Sequence, residues 1–137
     1  MPRGGDQGPW VGMRRQAMAG QDHGPFGGGG EMRPISRAGT VLCDVLAERD
    51  RQDELWGQQN HKDGTGSPWQ QDMCAAAKAD CERASRVGSL TWRQILWEEV
   101  AEAFAERDPE RLRAELIQVS AVAAGWAEAI DRRRNGV

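Results

Sequence analysis

From Thr40 to the C-terminus the apolar residues of this chain recur at intervals of three and four, and nowhere do they alternate with polar ones over the length of a strand. That period belongs to helices with one face turned inward, and it excludes a sheet as the main scaffold. The tract is rich in alanine, leucine, glutamate and arginine, all good helix formers. Local stop and start signals divide it into four helices. The first is expected over Val41–Gln59 with Thr40 as its N-cap, followed by a polar loop from Asn60 to Pro68. The second runs from Trp69 to Val87 and stops at Gly88, where a C-cap glycine belongs. The third starts at Thr91, whose hydroxyl caps while Gln94 reaches back, and continues to Arg107. Asp108-Pro109 then combines an N-cap with a first-turn proline and opens a fourth helix that ends near Arg134. The expected fold is all-α, a four-helix bundle over residues 40–137.

Residues 1–39 differ in kind. They hold eleven of the seventeen glycines and four of the six prolines. Such a segment buries too little apolar surface to offset its backbone entropy, and disorder is expected. Its readings are a partner-binding tail, a plain spacer, or untranslated sequence ahead of a true start at Met32.

Composition narrows the functions open to the chain. A length of 137 residues suits one domain. The net charge of −3 offers no basic face for nucleic acid, so a nucleic-acid partner is not expected. No stretch reaches the ~20 apolar residues of a membrane helix. The N-terminus lacks the apolar core of a signal peptide. Cys43, Cys74 and Cys81 form neither a CxxC pair nor an even framework, which fits a reducing, cytoplasmic setting. They are read as small core residues, since their spacing with His61 does not suggest zinc.

The chemistry lies in acidic residues placed where a core is expected. On the third helix the apolar stripe is Trp92, Ile95, Leu96, Val100, Ala103 and Phe104; Glu99 falls inside it and Glu102 at its margin. On the fourth the stripe is Leu112, Leu116, Val119, Ala123, Trp126 and Ile130, with Glu115 inside the arc and Gln118 at its edge. A charge facing a core costs several kcal/mol unless compensated. Residues three apart on a helix face the same way, so Glu99 and Glu102 can grip one ion together. The short turn at Asp108-Pro109 makes the two helices antiparallel neighbours and brings Glu115 opposite that pair. Oxygen-only ligation suits magnesium or manganese, and no histidine lies on these helices to suggest a di-iron site. The plain alternative is surface pairing of these glutamates with Arg93, Arg107 or Arg111.

Glu98-Glu99-Val100-Ala101-Glu102, then twelve residues, then Glu115-Leu116-Ile117-Gln118, resembles the Glu-Glu-x-x-Glu … Glu-x-x-Asp signature of the MazG-like all-α nucleoside triphosphate pyrophosphohydrolases. Thr91-Trp92-Arg93-Gln94-Ile95-Leu96, Glu48-Arg49-Asp50-Arg51-Gln52 and Trp56-Gly57-x-Gln59-x-His61-x-Asp63-Gly64-Thr65 are similar to small actinobacterial and actinophage members. The resemblance spans residues 40–134. It implies Mg2+-dependent cleavage between the α and β phosphates of a nucleoside triphosphate, releasing a monophosphate and pyrophosphate. It assigns Glu99, Glu102 and Glu115 to the metal, and Glu98 to the adjacent motif glutamate. Either Glu98 or Glu102 takes a proton from the attacking water. Gln118 stands where the family has aspartate: its carbonyl can still offer an oxygen, but the site loses a negative charge and holds magnesium more weakly.

Further residues have two readings each. Arg49 and Asp53 interrupt the first helix's stripe of Leu42, Val45, Leu46 and Trp56. They are either substrate ligands, with Arg49 on the triphosphate, or an intrahelical ion pair. The loop His61-Lys62-Asp63-Gly64-Thr65-Gly66 is a phosphate-binding edge or a plain turn. Trp56 could stack on a base, although tryptophans at helical spacing usually belong to a core. Trp97 points away from its helix's apolar arc and suggests a subunit contact. Four helices around a polar site leave a thin core, so a homodimer or larger homo-oligomer is expected.

Overall fold

The structure, a computed structural model, describes residues 37–136. The expected disorder of 1–39 falls, as far as residue 36, outside the described residues. The described chain forms four helices and no strand: α1 (Arg37–Trp56), α2 (Pro68–Arg86), α3 (Trp92–Ala105) and α4 (Pro109–Arg134). None of them is long and apolar enough to cross a membrane.

Local chemistry sets most of the boundaries. At α3 the Gln94 amide donates to Thr91 Oγ1 at 3.3 Å and the Thr91 amide to Gln94 Oε1 at 3.0 Å, the reciprocal cap read from the sequence. Asp108 Oδ1 accepts from the Glu110 and Arg111 amides, with Pro109 in the first turn of α4. Gly88, at φ +72°, follows the end of α2 as expected. Several boundaries differ. Helix α1 starts at Arg37, so Thr40 lies inside it, and it ends at Trp56 because Gly57 takes φ +63° and returns its amide to the Asp53 carbonyl. Helix α2 starts one residue earlier than expected, capped by Ser67 and Gln70 in a second reciprocal box. Helix α3 stops at Ala105, two residues short, where Glu106 is already extended.

Helix α3 packs between α2 and α4, while among the described residues α1 touches α4 alone. Along α2, Ala77, Cys81 and Ala84 are buried at four- and three-residue spacing, and these small side chains let α3 approach closely. The Cys81 thiol lies 3.1 Å from the Gln94 carbonyl, and Gln94 Nε2 donates to Asp80 Oδ2 at 3.1 Å. On the other side of α3, the Trp92 ring lies over Gly125 of α4. The segment between α1 and α2 is tied to the far end of α3. The Gly66 amide donates to the Phe104 carbonyl at 2.8 Å, Thr65 Oγ1 to the Glu106 carbonyl at 2.7 Å, and Arg107 Nε to the Gly66 carbonyl at 2.8 Å. A β-carbon at Gly66, already at φ +86°, would collide with the Arg107 side chain.

The buried interior is small and partly acidic. Its largest fully buried side chains are Glu98, Glu99 and Cys81, and its apolar members are chiefly alanines. Several side chains expected in the core lie outside it. Leu42, Val45, Leu46 and Trp56 of α1 are exposed, Leu46 by 64%, and so are Phe104, Leu116 and Ile130. The reason is geometric: among the described residues α1 meets one neighbour only, and Val41 is its one buried side chain. Cys81 is a core residue as expected, but Cys74 is half-buried and Cys43 exposed. Trp97 is exposed, in line with its position off the apolar arc.

Candidate metal centre

The carboxylates gather where α3 and α4 face each other. Glu99 and Glu102 sit three residues apart on α3, and the short Glu106–Asp108 connection brings Glu115 of α4 against them. One oxygen from each lies within 4.8 Å of the other two. Glu99 is 1% exposed, whereas Glu102 and Glu115 are half-buried, so the cluster opens to solvent on the side of the latter pair. Among the described residues this is the one group of three or more potential ligands gathered so closely. Three hard oxygen donors at this separation could hold a divalent cation.

Glu98 is as deeply buried as Glu99 but belongs to the seam between α2 and α3. Cys81 reports its presence: burial, and then the neighbouring Glu98 carboxylate, push the Cys81 thiol up to about 12 from an ordinary 9.0. Gln118 lies on α4 beside Glu115. Its Nε2 donates to Glu115 Oε2 at 3.3 Å, so the amide steadies that carboxylate.

Two residues of α2 complete the surroundings, and sequence reading passed over both as site members. Lys78 Nζ stands 3.9 Å from Glu102 Oε1. Burial raises the Cys74 thiol above its ordinary value; nearby Lys78 opposes that shift, and Glu102, Glu98 and Glu115 add to it. The available signal was the 74–77–81–84 register of α2, which places Cys74 on the face that meets α3, with Lys78 one step round.

The other candidate ligands lie elsewhere. Arg49 pairs with Asp53 at 2.9 Å, both side chains more than half exposed, which is the intrahelical alternative. Together with Trp56 and Gly57 they line a cleft of about 530 Å³ formed by the end of α1 and the chain after it, and none of the four glutamates lines that cleft. His61 and Lys62 are exposed in the following loop, where His61 Nε2 is 3.3 Å from Gln59 Oε1. No protein-family model, curated protein or solved structure matches this chain in comparison.

Proposed function

We propose that this chain is a divalent-metal-dependent nucleoside triphosphate pyrophosphohydrolase of MazG-like type, cleaving (d)NTP to (d)NMP and pyrophosphate. The observation that carries this reading is the convergence of Glu99, Glu102 and Glu115 within 4.8 Å across two helices of an all-α chain. With Glu98 they form the acidic part of the resembled signature, at the spacing that the fold requires.

In this reading Glu99, Glu102 and Glu115 hold magnesium or manganese, which supplies charge neutralisation on the phosphates and an acidified water. Glu115 is kept in orientation by Gln118. Glu98 or Glu102 accepts the proton of the attacking water; Glu102 is the more accessible of the two. Glu102 and Glu115 are the more open members of the cluster, so nucleotide enters from their side. Arg49, Asp53, Trp56, His61 and Lys62 contribute to substrate binding only if a second copy or a movement of α1 brings them across. The exposed apolar residues of α1 and α4 favour a homodimer or larger homo-oligomer, which light scattering on the purified chain measures. A cytoplasmic setting, where nucleotide pools are kept, accompanies this activity.

The rival is a non-catalytic helical binding or interaction module with a degenerate metal site. It is favoured by one contact, the Gln118 amide spent on Glu115 where the family's aspartate offers a carboxylate. A panel of nucleotides assayed for magnesium-dependent pyrophosphate release separates the two. Turnover that disappears in Glu99→Ala supports the enzyme. If no nucleotide is turned over and the variant binds partners like the parent, the module is the correct reading.

A further inference from the structure

Lys78 is the residue of this site that neither the acidic signature nor the sequence pattern assigns. It sits near the middle of α2, across from the cluster, with its ammonium 3.9 Å from Glu102 Oε1; its side chain is 32% exposed and that of Glu102 16%. This separation is a charge contact and too long for a hydrogen bond. Among the described residues the ammonium donates no hydrogen bond. A half-buried cation thus waits at the solvent side of the cluster with its donors uncommitted.

Charge explains what such a group is for. Glu102 and the carboxylates gathered with it are acidic, and so is a polyphosphate. A cation beside the cluster favours the approach of phosphate oxygens. An ammonium on a flexible four-carbon stem is a mobile point charge suited to phosphate oxygens, and it can leave Glu102 once a metal ion takes over that carboxylate. We propose that Lys78 binds the phosphate chain of the nucleotide and serves Glu102 only in the metal-free protein. This rests on the pyrophosphohydrolase reading and adds to it the cation that receives the substrate.

The test uses the full chain, Lys78→Met and Lys78→Arg. Methionine keeps the length and helix preference of lysine without its charge, and circular dichroism checks that each variant is folded. Manganese affinity is measured without nucleotide. Affinity for an α,β-imido nucleoside triphosphate is then measured with manganese present, and turnover of the matching nucleotide is followed in parallel. Loss of a charged hydrogen bond weakens analogue binding by about tenfold or more in Lys78→Met. Manganese binding is unchanged or tighter there, and Lys78→Arg recovers most of the analogue affinity. Equal analogue affinity in parent and Lys78→Met overturns the proposal while leaving the enzymatic reading in place. Weaker manganese binding in Lys78→Met overturns it too, by giving Lys78 a structural role. A parent that binds manganese but neither binds the analogue nor turns over nucleotide overturns both.

Discussion

Replacing Glu99 by glutamine removes one charge from the cluster at almost constant volume, and the sign of its effect on stability depends on metal. Two carboxylates within 4.8 Å of each other repel by about 3 kcal/mol at an effective dielectric constant of about 20. Glu99 faces two such neighbours, Glu102 and Glu115. Proton uptake, which for an ordinary glutamate at neutral pH costs about 4 kcal/mol, caps the strain of the metal-free cluster. Glu99→Gln is therefore expected to stabilise the metal-free protein by roughly 2–4 kcal/mol, on the order of 10 °C in Tm for a domain of this size. A cation at a hundred times its Kd stabilises the parent by about 2.7 kcal/mol and should do little for the variant. Thermal melts of both proteins in chelator and in magnesium or manganese make the comparison. The variant melts higher in chelator, and the cation narrows or reverses the gap. A metal-free variant that melts below the parent, or a parent that gains nothing from either cation, refutes the reasoning.

Other expectations follow from single contacts. Gln118→Asp adds a carboxylate beside Glu115 and should tighten manganese binding severalfold, read by titration; unchanged affinity would place residue 118 outside the ligand shell. Gly66→Ala combines an unfavourable φ with a collision against Arg107 and should cost about 1–3 kcal/mol in urea unfolding, because the loop must leave the end of α3. Cys81, held protonated to about pH 12, favours the folded state fully below its ordinary 9.0. That contribution is lost as pH rises from about 9 to 12, so stability should decline over this window and less so in Cys81→Ala. Alkylation at pH 8 should label exposed Cys43 and spare Cys81 until the chain unfolds, as mass spectrometry of the digested protein can show.

What the sequence determined by itself was local or strictly periodic. The Thr91–Gln94 cap, the Asp108-Pro109 restart and the Gly88 stop act within one helical turn, so no distant contact can overrule them. The Ser67–Gln70 box was equally legible and was passed over, as was the stop at Gly57. The meeting of Glu99, Glu102 and Glu115 could also be read in advance, because a three-residue spacing and one short turn leave two antiparallel helices little freedom of register. Only the tertiary structure decided which face of α2 meets the cluster and whether α1 is covered. The rotation of α2 about its axis, set by packing Ala77, Cys81 and Ala84 against α3, is what puts Lys78 beside Glu102 and Glu98 beside Cys81. Helix α1 has a regular apolar stripe, but a stripe states only that a face can be buried. The single contact with α4 leaves Leu42, Val45 and Leu46 outside, and keeps Arg49 and Asp53 paired with each other, away from the carboxylates. Burial is a property of neighbours, and neighbours distant in sequence are chosen by the packing of the whole chain.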